Sequence, residues 1–330
     1  MKNQITNIIF DTNAARDFVA GLALEKIKDY AASITGLFDK KVLRLAVSPV
    51  VIQELLYHLV DETDKDFTVS FKAIKALMLV LEHQRKNGVH VMMSPSELII
   101  ANEIYHMRSE TRELMYSQLM SIADKIAHGG IADIPDLHTI DGGTVKSYMD
   151  EIETGFASQI RGVCKSVEFM SEVTGKGFEE QLNSEETEIA ITTYFSRTTY
   201  NLLMNEGKLP DYHTFLPSAV PYSEEVGRRY LAFCHFMDKG NKEIIRRYPA
   251  FLKLLKEVVR RIHQSKNQIS DEKLKNYVWD ISLMFHVNDH TVNHEPFRFV
   301  TSDKTMLLAS GAFHDTNNVM TYQEFKEWIA

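Results

Sequence analysis

Residues 7–18 read NIIFDTNAARDF, a short apolar run, Ile8-Ile9-Phe10, that stops at Asp11, Thr12 and Asn13. A run of this kind reads as a buried strand, and the polar triplet as its exit into a turn or a helix cap. An Asp in that place is most often a helix N-cap. It becomes a candidate for chemistry only if other acids come to the same point. Residues 297–303, FRFVTSD, repeat the pattern, an apolar strand that ends in a small hydroxyl residue and then in Asp303.

Working outward, the first hundred residues alternate strand and helix. Strands are expected at 7–10, 43–48 (LRLAVS) and 87–93 (NGVHVMM). Helices are expected at about 22–37, from Pro49 onward with Ser48 as N-cap, and at about 66–86, where Phe67, Phe71, Ile74, Leu77, Met78 and Leu81 fall at helical spacing. A further helix opens at SPSELIIANEIYHM. From about 110 to 270 the pattern changes to long helices broken by polar, Gly- and Pro-containing stretches, with no strand alternation. The α/β rhythm then resumes with a helix in KLKNYVWDISLMFHV, strands FRFVT and NVMT, and a closing helix YQEFKEWIA. Neither end supplies enough strands for an ordinary sheet, whereas together they give about five. The expected architecture is therefore a three-layer α/β domain with a parallel sheet, built from residues 1–110 and 271–330 and interrupted by a mainly α-helical insertion at 111–270.

Composition narrows the function. The 330 residues are 44% apolar, enough for a substantial core, and carry a formal charge of −8. An acidic surface repels polyanions, so any nucleic-acid contact has to come from a local basic face. The two cysteines, Cys164 and Cys234, are far apart and lack metal-ligand spacing, and the N-terminus has no signal-peptide pattern, so a cytoplasmic protein is expected. No apolar run approaches the roughly 20 residues of a membrane helix.

Ligands of open α/β sheets gather beyond the carboxyl ends of the strands. Asp11 and Asp303 would share one cleft if their strands are neighbours. Glu54, in SPVVIQELLYHL, lies on the border of the stripe formed by Val50, Val51, Leu55 and Leu59. Asp280 interrupts an apolar helix, with Val278, Trp279, Ile281, Leu283 and Met284 around it, and a carboxylate in such company needs a partner. Four carboxylates in one cleft would raise each other's pKa unless a cation intervenes. Hard divalent ions held through oxygen, Mg²⁺ or Mn²⁺, are the natural answer, and phosphodiester hydrolysis is the chemistry they serve.

The stretches IIFDTN, SPVVIQEL, WDISLMFHV, FRFVTSD and VMTYQEFKEWI, in this order, resemble the motifs of PIN-domain ribonucleases. The resemblance covers about 1–110 and 271–330, and the middle of the chain has no counterpart in it. It implies a metal-dependent endoribonuclease in which Asp11, Glu54, Asp280 and Asp303 hold Mg²⁺ or Mn²⁺, with Asn13 and Thr301 as polar companions of the first and last acids. By the same analogy it implies a toxin-like or defence-related role, an RNA substrate, a protein inhibitor or antitoxin as partner, and a homodimer. The helix around Asp280 is bulkier than the family's small-residue version. Two other readings stand beside this one: a catalytically silent PIN-fold module that recruits a protein through the insertion, and a DNA nuclease of the same fold.

For RNA the candidate surface is the end of the insertion. Residues 239–275 hold eleven Lys or Arg against four Asp or Glu, a local charge of +7. Arg246, Arg247, Lys253, Lys256, Arg260 and Arg261 are the candidate contacts. The plain alternative is a solvated helix face, because Phe251, Leu254, Leu255, Val258, Val259 and Ile262 form an apolar stripe opposite them. His286, His290 and His294 recur every four residues as metal ligands on a helix would, but the polar segment NDHTVNHEP argues that the helix has ended by then.

Overall fold

The computed structural model of the chain describes residues 5–87, 92–129, 145–211, 224–266, 268–287, 296–311 and 318–330. Four parallel strands form one sheet: β1 (Thr6–Phe10), β2 (Leu43–Leu45), β3 (Phe297–Thr301) and β4 (Val319–Thr321), in the order β2-β1-β3-β4. The chain steps from β1 to β2 on one side, and from β3 to β4 on the other. The strand order therefore reverses between β1 and β3, where Asn7 pairs with Phe297 and Phe10 with Val300. The protein is a mixed α/β molecule with its first and last segments side by side in the sheet.

The apolar pattern suggests about five strands, and four form among the described residues. Residues 88–91 lie outside the described residues. Just after them the chain makes a single parallel bridge from Met92 to Val47, with the Met93 amide donating to the Val47 carbonyl at 3.0 Å. The second strand is also shorter than the apolar run 43–48. The Ala46 amide still donates to the Ile8 carbonyl at 2.8 Å, and the chain then leaves β1 for the Ser48 cap of the next helix.

The helices of the first segment are α1 (Thr12–Asp17), α2 (Ile27–Lys41), α3 (Pro49–Tyr57), α4 (Phe67–Lys86) and the short α5 (Ser96–Ile99), which passes into a wider turn at Ile100–Ile104. The second helix begins and ends later than the apolar spacing suggests. It ends where Val42 adopts a left-handed conformation, φ 58°, so that its amide can reach back to the Phe38 and Asp39 carbonyls. The middle of the chain folds as α6 (Glu110–Gly129), α7 (Val145–Thr174), α8 (Phe178–Leu182), α9 (Glu185–Asn205), α10 (Glu224–Arg247) and α11 (Pro249–Gln264). The last segment supplies α12 (Asp271–Leu283), α13 (Lys304–Ala309) and α14 (Tyr322–Ile329).

Ile8, Ile9 and Phe10 point alternately to the two faces of the sheet and all are buried, so both faces are covered. On one face the Phe10 ring meets Phe325 of α14 edge-on at 5.1 Å, and Phe38 of α2 meets the same ring at 6.4 Å. The middle helices do not hold a core of their own. One continuous apolar cluster runs from β1 through α3 and α12 into α7, α9 and α11. Residues 110/111 and 270/271 thus mark changes of pattern along the chain, not breaks in its interior. No helix among the described residues is long and apolar enough to cross a membrane.

One contact across this shared interior is unusually close. The Tyr105 ring lies flat on Phe236 of α10, 3.5 Å between centroids, and its hydroxyl donates to the Phe236 carbonyl at 2.7 Å. Gly240, one turn on, leaves the space: a Cβ there would stand 1.9 Å from the Tyr105 hydroxyl oxygen and 2.8 Å from Ser196 Oγ. Replacing a mid-helix Gly by Ala ordinarily stabilises by about 1 kcal/mol. Here Gly240→Ala should instead destabilise by about 1–3 kcal/mol, read as a lower urea midpoint at unchanged slope. An Ala variant as stable as the parent would show that Tyr105 is not wedged against α10.

Candidate active site

The reversal of strand order places the ends of β1 and β3 together, and the acids stand there. Asp11, 1% exposed, comes directly after β1 and caps α1: its Oδ1 accepts from the Ala14 amide at 2.6 Å. Its Oδ2 accepts from the hydroxyl of Thr301, the last residue of β3. That same hydroxyl oxygen accepts from the Asp303 amide at 3.0 Å, so one threonine ties the two strand-end acids together. Asp303 caps α13 through Oδ1, which accepts from the Thr305 and Met306 amides at 2.6 and 2.9 Å. Glu54 comes from the second turn of α3, and its Oε2 accepts from the Thr12 hydroxyl. Asp280, on α12, has no hydrogen-bond partner among the described residues and lies half-buried amid Val278, Trp279 and Ile281.

Three of the acids, Asp11, Glu54 and Asp280, are shifted by burial and by neighbouring carboxylates. Burial pushes the Asp11 carboxyl up to about 7 against the opposing pull of Thr301 and the Ala14 amide, and Asp303 and Asp17 push it further the same way. Burial likewise raises Glu54 to about 7; the Thr12 hydroxyl and the Arg16 guanidinium oppose this, while Asp11 and Glu153 add to it. Asp280 is raised well above the carboxylate range, first by burial and then by Glu54, Asp303 and Asp11 together. Each of the other three acids is anchored through a defined oxygen. Glu54 Oε1, Asp303 Oδ2 and both oxygens of Asp280 make no hydrogen bond among the described residues. No three of these four acids bring ligand oxygens within 4.8 Å of one another, a spacing that among the described residues His58, Asp64 and Asp66 reach.

Reasoning from sequence misses several neighbours. Thr12 does for Glu54 what Thr301 does for Asp11, and the signal that could have found it is a hydroxyl residue beside each strand-end acid. Arg16 reaches toward Glu54 and pairs with Asp66 at 3.6 Å. Glu153, buried on α7, accepts from the Trp279 indole at 2.7 Å next to Asp280. Nothing local distinguishes it from the solvated acids around it. Asn13 is exposed on the first turn of α1.

A second acidic group lies nearby. His58, Asp64 and Asp66 are the described residues whose ligand-type atoms all come within 4.8 Å of one another. They are already paired, His58 Nδ1 with Asp64 Oδ2 at 2.9 Å and Asp66 with Arg16. His286 is buried in a short turn after α12, and His290 and His294 lie outside the described residues.

The basic residues of the middle segment are mostly engaged within the chain. Arg246 pairs with Glu243 at 2.6 Å and Arg247 with Glu103 at 2.7 Å. Lys256 pairs with Glu188 at 2.5 Å, and Arg260 holds Glu179 and Glu257 at 2.7 and 2.6 Å. Arg261 contacts Glu257 and the Tyr277 hydroxyl. Lys253 is exposed. Glu243 and Glu257 are already counted in the +7 of this segment, and Glu103, Glu179 and Glu188 from elsewhere in the chain meet part of the remainder, while the apolar stripe of α11 is buried.

Comparison of the chain with family models, with curated proteins and with solved structures gave no match.

Linkage gives these acids a sign that can be checked without substrate. Asp11 and Glu54 titrate near 7 in the folded chain, against 3.8 and 4.5 ordinarily, so the folded state binds more protons between those values. Their contribution to stability is then fully present below about pH 4 and is lost as the pH rises through 7. In EDTA the melting temperature should fall over this window, and Asp11→Asn with Glu54→Gln should flatten the fall and melt higher than the parent above its end. Parallel pH profiles for parent and double variant would contradict the raised values.

Proposed function

We propose that the chain is a metal-dependent phosphodiesterase of PIN-like architecture, an endoribonuclease whose site is built by Asp11, Glu54, Asp280 and Asp303. The observation that carries this reading is the pairing of two strand-end acids at the strand-order reversal, Asp11 and Asp303 joined through the Thr301 hydroxyl, with Glu54 held beside Asp11 by Thr12 and the charge of all three felt at Asp280. Left alone, such a carboxyl takes up a proton, and ionising it beside the other acids calls for a compensating positive charge. A bound cation would supply it.

When bound, Mg²⁺ or Mn²⁺ would lower the pKa of water and stabilise charge on the phosphoryl oxygens. The chain's own residues hold and orient. The Thr301 hydroxyl fixes Asp11 and receives the Asp303 amide, which sets the spacing of the two strand-end acids. Thr12 anchors Glu54 at Oε2 and leaves Oε1 clear to hold the cation. Attack of water on phosphorus does not need a 2′-hydroxyl, so RNA is preferred here on the resemblance of the motifs, and DNA belongs in the test.

Purified protein should cleave a labelled single-stranded RNA with Mg²⁺ or Mn²⁺ and not in EDTA. Asp11→Asn and Asp303→Asn should abolish cleavage, and Thr301→Val, which frees Asp11 but removes no acid, should lower it by about 10–100-fold. Cleavage that persists in EDTA, or in the Asp11→Asn protein, would rule the reading out, and faster cleavage of the matching DNA would change the substrate.

A further inference from the structure

The proposed chemistry needs a way to hold phosphates, and the basic helices of the middle segment are largely engaged with their own chain's carboxylates. A different place next to the acids is not. Beyond the carboxyl ends of β3 and β4 a groove of about 630 Å³ opens, lined among others by Asp17, Tyr30, Ser302, Lys304, Tyr322 and Lys326. It lies within the size range of ligand sites. None of the four acids lines it, but it begins beside them: Lys304 follows Asp303 in the chain, and the Ser302 hydroxyl donates to Asp17, the same Asp17 whose charge Asp11 senses.

The groove's chemistry is specific in two respects. Lys304 and Lys326 are exposed and form no ion pair among the described residues. The one carboxylate in the wall, Asp17, already accepts from Ser302. The two tyrosines are half-buried and fixed: Tyr30 is set against Phe18 with centroids 5.2 Å apart, Tyr322 against Phe325 at 6.2 Å, and their side chains hydrogen-bond to each other. The Lys326 ammonium stands 5.9 Å over the Tyr322 ring. Rigid phenol faces beside free ammonium groups are the pair of features that hold unpaired bases and their phosphates, the rings by stacking and the amines by charge. A duplex keeps its bases stacked on one another and has no use for the rings.

We infer that the groove between α13 and α14 binds single-stranded nucleic acid, Lys304 and Lys326 contacting phosphates and Tyr30 and Tyr322 stacking a base, so that the strand leads directly into the acid cluster. The inference rests on the phosphodiesterase reading, and its test does not depend on cleavage. Binding is measured by fluorescence anisotropy in EDTA at several salt concentrations, with a short labelled oligouridylate, the matching oligothymidylate, and each annealed to its complement.

Both single strands should bind more tightly than their duplexes. Lys304→Gln with Lys326→Gln should lower the slope of log K against log salt by about 1.4, near 0.7 for each phosphate no longer neutralised, and the corresponding double Arg variant should restore it. Tyr322→Leu should weaken binding by about tenfold, whereas Tyr322→Phe, which keeps the ring and drops the bond to Tyr30, should leave it unchanged. Melting curves equal to the parent's show that the variants fold. No single-strand binding by the parent, an unchanged slope in the double Gln variant, or equal affinity for duplexes would each overturn the groove. If the groove binds as described and no metal supports cleavage, the catalytic reading fails alone; if cleavage is untouched by these substitutions, the groove fails and the catalytic reading stands.

Discussion

Asn7–Phe10 runs beside Phe297–Val300 as a parallel ladder, and just past its end the Asp11 amide donates to the Val300 carbonyl at 2.9 Å. Every feature of the site depends on that pairing. It puts the reversal of strand order between β1 and β3, it brings the Thr301 hydroxyl to Asp11, and it makes the caps of α1 and α13 neighbours. Both caps are ordinary in themselves, carboxylates accepting from amides of a first helical turn. Set side by side they become a place where negative charge collects. Asp303 caps its helix through one oxygen and keeps the other clear of hydrogen bonds among the described residues, whereas Asp11 has both oxygens engaged, one by the Ala14 amide and one by Thr301.

The middle helices are part of this arrangement and not an appendage to it. Asp280 is carried on α12, which packs against α7, α11 and α3 inside the common core. Glu153 of α7 grips the Trp279 indole, so the residue beside Asp280 is held from the middle segment. A change in the packing of α7 would be felt at Asp280 and at Glu54, whose helix α3 also packs on α7, before it reached Asp11.

The strand-end acids are legible in the sequence because their signal is local: an apolar run that stops at a hydroxyl residue and a carboxylate says where it must lie once the run is known to be a strand. Asp280 is legible for the opposite reason, as a charge where the helical pattern demands an apolar residue. Partnership is what the sequence does not show. Arg260 looks like part of a free basic face, yet its partner Glu179 is 81 residues away; Lys256 meets Glu188 across 68 residues and Arg247 meets Glu103 across 144. Local charge counts record donors and not what they face. Glu153 is hidden in the same way, since the Trp279 that makes it a buried group lies 126 residues further on. The fold class is visible at the level of strand and helix alternation, while the length of β2 depends on hydrogen bonds that periodicity does not record.

The distance along the chain between Asp11 and Thr301, 290 residues, also sets an order of events during synthesis. Each doubling of a closed loop adds only about 0.6 kcal/mol, so the span is a matter of timing more than of stability. At about 5–20 residues per second, Asp303 leaves the ribosome roughly 15–60 s after Asp11. Throughout that interval the nascent chain holds Asp11 and Glu54 without Asp303, and β1 without the strand that shields one of its edges. A message broken within the middle segment would yield a chain with half the acid cluster. The cluster therefore cannot assemble until the chain has been made as far as Asp303, and the first two acids wait for the last two.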